Sequence, residues 1–162
     1  AVVVIGVMVA NMKRAKQLVK HAKVNYSGLK RDAESRVVRW EWATFKRYSF
    51  EPGHFEIEKV KKGKVLKSEP KPPVSGTHGY GFDAEGRVVV ERQQTEFTGR
   101  QYETFYRHEA DGIERFHFTY SPNKEWINVG WLARGSHGIA SIHAVYKRGS
   151  WLEARICNPR AG

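Results

Sequence analysis

The residues of widest chemical range in this chain are its seven histidines, His21, His54, His78, His108, His117, His137 and His143. They form no H-x-H pair and no H-E-x-x-H run, and none has a carboxylate at metal-site spacing, so the reading is no metal and no cofactor. The single cysteine, Cys157, excludes an internal disulfide framework and any multi-cysteine zinc or iron–sulfur site. A G-x-S-x-G elbow, a G-x-G-x-x-G turn and a G-K-[ST] loop are all missing, which removes the usual serine-nucleophile and phosphate-cradling motifs. What remains is general acid–base chemistry. His117 or His143 is the candidate proton-transferring group and Glu153 the candidate orienting carboxylate, with Tyr106 and Arg115 to hold an anionic ligand and Asn128 and Arg155 beside them. The competing structural reading is that solvated sheet faces commonly carry Thr, Tyr, Arg and His, and no reaction is assigned.

These residues can meet only if the segments carrying them are strands with a fixed register. From Arg36 onward the pattern is β. Val38, Trp40, Trp42, Thr44, Tyr48 and Phe50 stand on alternate positions, which predicts a strand with one buried aromatic face. Glu51-Pro52-Gly53 interrupts it, residues 54–60 resume it, and Lys61-Lys62-Gly63-Lys64 reads as a hairpin turn into Val65-Leu66. Residues 68–73 are Pro-rich and read as a linker or edge segment. Beyond them, turn signals recur at Asp83 to Gly86, Thr98-Gly99, Ala110 to Gly112, Ser121 to Lys124, Arg134 to Gly138 and Lys147 to Gly149, with β-branched and aromatic segments between. No helix fits between consecutive segments. The expectation is therefore a mainly β protein, an antiparallel up-and-down meander of about eight to ten strands, rolled as a sheet or closed as a barrel.

Pairing these strands about their turns sets His108 opposite Ile113, Tyr106 opposite Arg115 and Thr104 opposite His117. One face then collects Phe116, Phe118, Ile127, Val129, Trp131, Ile142 and Tyr146 as core. The other collects Tyr102, Thr104, Tyr106, Arg115, His117, Asn128, Ser141, His143, Glu153 and Arg155. Because side chains alternate with period 2, a slip of one residue in any strand exchanges its two faces.

Two of the turns carry a similar pattern. Tyr80, Phe82, Asp83, Gly86 and Val88, and again Tyr106, His108, Glu109, Gly112 and Ile113, place an aromatic and an acid before a turn glycine and an apolar strand. This resembles the YD (RHS) repeat hairpin, with His108-Glu109 standing where that family has Tyr-Asp. The resemblance implies a secreted or surface shell or interaction module and no particular reaction.

The 162 residues suffice for a core of one domain, and 40% hydrophobic with 28% charged residues is the composition of a soluble globular chain. The net charge of +11 is unevenly spread: residues 1–35 and 36–73 each carry +5, and residues 74–162 carry +1. A basic front, with Lys13, Arg14, Lys16, Lys61, Lys62 and Lys64 as candidate polyanion contacts, thus precedes a nearly neutral body. Residues 1–35 separate from a single β domain at 36–162. The apolar run at residues 2–9 reads either as a strand, buried or paired with a partner, or as the last turns of a membrane helix beginning upstream. Residues 13–23 read as a short basic helix with Ala15, Leu18, Val19 and Ala22 on its apolar side. The functional expectation is a non-enzymatic binding or assembly module whose basic front engages a partner subunit, an anionic membrane or a polyanion. A small β-barrel enzyme or ligand carrier using the polar face is the alternative. Nucleic-acid binding through the basic residues and Trp40 and Trp42 comes next. Cell location is not fixed by any of these features.

Overall fold

The computed structural model describes residues 2–97, 99–119, 126–148 and 151–157, with the backbone alone at 2–4, 126, 148 and 151–155. The turns expected at Ser121 to Lys124 and at Gly149 lie outside the described residues.

Helix α1 (Val2–Val24) buries Ala15, Leu18, Val19 and Ala22, the i, i+3, i+4, i+7 stripe that the spacing predicts. It is longer than the expected basic helix, because residues 2–9 form its first turns and not a strand. A helix satisfies its own backbone hydrogen bonds, so the Val-rich run extends the packed segment without needing a neighbouring strand. Among the described residues no helix is long and apolar enough to cross a membrane. Helix α2 (Tyr26–Ser35) follows and buries Leu29 and Ala33.

Nine strands are present among the described residues: β1 (Arg39–Ala43), β2 (Val65–Leu66), β3 (His78–Phe82), β4 (Val88–Gln94), β5 (Gln101–Glu109), β6 (Gly112–Thr119), β7 (Trp126–Gly135), β8 (Gly138–Arg148) and β9 (Trp151–Cys157). They form one antiparallel sheet in the order β2-β1-β3-β4-β5-β6-β7-β8-β9. Among the described residues the sheet is an up-and-down meander that does not close into a barrel, with β2 and β9 at its edges.

Helices α1 and α2 cover one face, over Phe105, Phe116, Phe118, Val129, Trp131 and Val145. Trp131 anchors α1. Its Nε1 donates to Asn11 Oδ1 at 3.1 Å, and the Arg14 guanidinium lies 3.4 Å from its ring centroid while pairing with Asp111 at 2.8 Å. Tyr26 of α2 donates to the buried Glu103 carboxylate, which also faces Lys30 at 3.2 Å.

Residues 44–64, the connection between β1 and β2, cover part of the opposite face. The strand expected to run to Phe50 ends at Ala43, and the expected strand at 54–60 is instead a single helical turn, α3 (His54–Ile57). The reason is that Tyr48 and Phe50 attach to the sheet by packing and not by ladder hydrogen bonds. The Tyr48 ring sits 5.0 Å from Tyr80, and Phe50 sits 4.8 Å from Tyr106. The Tyr80 hydroxyl accepts from the amides of Arg47, at 2.9 Å, and Tyr48. At its base the connection is tied by Thr44 N to Lys64 O and by Gly63 N to Lys46 O, and a Cβ at Gly63 would fall 2.1 Å from Phe45 O. This loop is a strap, pinned at both ends and across its middle.

Trp40 and Trp42 are only half-buried. Their rings stack on one another at 5.8 Å, which glycines on β3 permit: a Cβ at Gly79 would meet the Trp42 ring at 2.4 Å. The two hairpins that resemble the YD pattern are the β3–β4 and β5–β6 turns. In the first, Asp83 Oδ1 accepts from the amides of Glu85 and Arg87, and Gly86 has a φ of 76°.

Candidate ligand-binding cleft

The β5–β6 register places Thr104 opposite His117, Tyr106 opposite Arg115 and His108 opposite Ile113, as the turn chemistry predicts. Continued across the sheet, the first pair becomes a row of polar positions: Glu41, Tyr80, Glu91, Thr104, His117, Asn128, Tyr146 and Glu153. The next row holds Tyr106, Arg115, Gly130, Ala144 and Arg155. Both rows face the strap. Glu153 and Arg155 thus hold backbone positions on this face, while their side chains lie outside what is described.

The pairing of β7 with β8 departs from expectation. Arg134 pairs with Ile139 but Ala133 with Ser141, so Ala140 is an extra residue that shifts the register. Ile142 and Tyr146 consequently move to the strap side, and Ser141 and His143 to the helix side. His143 is fully buried there, its Nε2 2.8 Å from Ser141 Oγ, and burial lowers its pKa. It cannot share a proton-transfer site with His117, which lies on the other face.

Two adjoining cavities occupy the space beneath the strap. The larger, about 580 Å³, lies against Tyr48, Phe50, Phe55, Tyr80, Phe82 and Val88. The smaller, about 210 Å³, is polar and includes Lys46, Thr104, Arg115, His117, Asn128 and Tyr146. Glu51, Glu91 and Tyr106 line both, so an aromatic section opens onto a polar one.

Charge in the polar section is compensated within the protein. The Tyr106 hydroxyl donates to Glu91 Oε2 at 3.0 Å, and Lys46 Nζ and His78 Nε2 stand 3.5 and 3.7 Å from Oε1. Burial foremost, and then the Glu91 charge, keeps Tyr106 protonated by raising its pKa well above the ordinary tyrosine value. Arg115 Nη1 donates to Glu51 Oε1 of the strap at 2.9 Å. Burial alone would raise the Glu51 pKa, but the charge and hydrogen bond of Arg115 outweigh it and hold the carboxyl below its ordinary value. Gly130 makes room for Arg115, since a Cβ there would stand 3.1 Å from the guanidinium Nε. Thr104 Oγ1 lies 2.8 Å from His117 Nδ1, and burial pushes the His117 pKa down to about 4. Asn128 Oδ1 is buried without a hydrogen-bond partner among the described residues, an acceptor open to a ligand donor.

Tyr106, Arg115, His117 and Asn128 are therefore brought together, and His143 is not. Sequence reasoning missed Lys46, Glu51, Tyr80 and Glu91. Pairing β4 with β5 about the turn that contains Gly99 sets Glu91 opposite Thr104, so the glycine signal there could have found it. Among the described residues no three His, Cys, Asp or Glu side chains gather as a metal site.

The basic candidates fall on two sides. Lys13 and Lys16 are exposed on α1, Arg14 is committed to Trp131 and Asp111, Lys61 and Lys64 are exposed on the strap, and Lys62 lies over the Phe55 ring at 5.3 Å. Helix and strap cover opposite faces, so these residues do not make one continuous patch. Trp42 has its ring against Gly79 and Trp40, and Arg92 covers Trp40 at 4.6 Å, which leaves little face for stacking bases. No family model, curated protein sequence or solved structure matches the chain.

Proposed function

We propose that this chain is a non-enzymatic binding module, a carrier or sensor of a small amphipathic molecule held between the sheet and the strap. The observation that carries this reading is the shared wall of Glu51, Glu91 and Tyr106, which joins an aromatic section to a polar one. A volume of about 580 Å³ falls in the range of small-molecule sites, and an apolar lining with a few convergent polar groups is their usual chemistry. Binding is favoured over turnover because desolvation keeps His117 of the polar section neutral near pH 7 and makes it too weak a base for efficient proton abstraction there. N-phenyl-1-naphthylamine, a neutral aromatic probe that fluoresces on leaving water, tests it. Its fluorescence should saturate at one equivalent, and Ser49→Trp, which fills the larger cavity, should weaken binding by at least about tenfold. Non-saturable fluorescence, or equal binding to both proteins, would remove the reading.

A second reading concerns the start of α1, where Ile5, Val7 and Val9 are 61%, 56% and 63% exposed ahead of Lys13 and Lys16. An apolar helical start beside basic residues supports engagement of a partner subunit or an anionic bilayer. Deleting residues 1–10 should lower the oligomer mass in sedimentation or abolish co-flotation with phosphatidylserine vesicles. If neither changes, this second reading is wrong.

A further inference from the structure

Glu91 and its partners belong to the sheet and the strap base, whereas Glu51 comes from the middle of the strap, where His54 Nδ1 stands 3.8 Å from its Oε2. Glu51, at 41% side-chain exposure, also reaches to Arg115, which is 14% exposed and seated in the space over Gly130. Arg115 stands on β6 and is mostly desolvated, whereas its partner stands on a turn, Glu51-Pro52-Gly53, whose glycine has a φ of 69°. A guanidinium so placed is a ready carboxylate receptor, since charge-assisted N–H donors hold anionic oxygens well and a desolvated cation left unpaired is costly.

We infer that Glu51 is a resident stand-in for the anionic head of the ligand, and that the cleft takes an amphipathic monoanion whose head displaces Glu51 from Arg115 while its apolar body lies against Phe50, Phe55 and Phe82. This rests on the cleft being a small-molecule site. The headgroup charge follows from the groups present. Among the described side chains lining the polar section, Lys46 and Arg115 are balanced by Glu51 and Glu91, and burial holds His117 of that section and the adjoining His78 below the ordinary histidine pKa. Glu91 stays in place through Tyr106, Lys46 and His78. Moving Glu51 outward therefore leaves one uncompensated positive charge, which a carboxylate or sulfonate restores to neutrality and a phosphate dianion overshoots. Displacement also frees the strap at Glu51, so binding the head and loosening the cover are one event. The exchange is reversible and forms no covalent bond.

The test uses a matched pair of probes, 8-anilinonaphthalene-1-sulfonate and N-phenyl-1-naphthylamine, which share an aromatic body and differ in the sulfonate. Each is titrated by fluorescence into the full chain, into Glu51→Ala, into Glu51→Gln and into Arg115→Lys, with circular dichroism to confirm folding. In both Glu51 variants, removing the competing carboxylate should raise the ratio of sulfonate to neutral-probe affinity about tenfold. Arg115→Lys, which loses the planar fork, should weaken the sulfonate selectively. If the neutral probe binds the cleft but the sulfonate is indifferent to Glu51, the anion site is overturned and the cleft reading survives. If neither probe binds, both fall.

Discussion

His117 shows how one desolvated, half-buried side chain sets chemistry and stability together. Its pKa, held down to about 4 from an ordinary 6.5 by desolvation foremost, means that the folded protein resists protonating it while the unfolded chain does not. Protonation therefore favours unfolding: stability present above pH 6.5 is lost progressively as the pH falls towards about 4, by roughly 3 kcal/mol in all. His117→Gln keeps a hydrogen-bonding partner for Thr104 but does not titrate. Urea denaturation at pH 7 and pH 4.5 should show wild type losing more stability than this variant over that interval, and equal losses would contradict the burial argued for His117. Residue-level chemistry was partly legible in the sequence. Tyr106, Arg115, His117 and Asn128 sit on strands whose turns could be paired by inspection, so their meeting follows from alternation alone. Glu51 and Arg115 are 64 residues apart, and only packing brings them together. His143 was misplaced because a single extra residue, Ala140, inverts the face of everything after it in β8, and no local signal marks it.

At the scale of elements, the strap is the part whose nature the sequence concealed. Alternating aromatics at Trp40, Trp42, Tyr48 and Phe50 read as one continuous strand, yet only the first two belong to β1. The period-2 pattern reports apolar contact with a sheet, and Tyr48 and Phe50 make that contact from above it. What fixes them is the Tyr80 hydroxyl, which accepts two backbone amides of the strap. Tyr80→Phe leaves those amides without their buried acceptor at an expected cost of about 1–3 kcal/mol. Hydrogen exchange should show the Arg47 and Tyr48 amides opening faster than any slowing or speeding of the sheet core explains; unchanged protection at both would mean the strap is held otherwise. The helices were easier to read where they pack and harder where they do not. The buried stripe of α1 was visible at helical spacing, whereas residues 2–9, rich in β-branched side chains, suggested a strand because propensity there is not supported or opposed by packing.

For the molecule as a whole, the division of labour lies between the two faces of one open sheet. Helices α1 and α2 close one face with a conventional apolar core, and that closure lets the other face keep a line of polar and titratable groups under a loop. The charge asymmetry of the sequence is real, but folding distributes it: the lysines of α1 and those of the strap lie on opposite sides, and Arg14 is consumed in anchoring the helix. The count of strands and their antiparallel order were legible from turn spacing, while closure was not, since an open meander and a barrel have the same alternation and differ only in whether the first and last strands pair. The space beneath the strap, and not the apolar start of α1, is where we propose that a small amphipathic molecule binds. An amide chemical-shift titration with 8-anilinonaphthalene-1-sulfonate separates the two locations directly. Saturable shifts are expected at Tyr48, Glu51, Tyr80, Glu91 and Tyr106 with α1 unmoved. Shifts confined to residues 5–13, or none that saturate, would contradict the proposal.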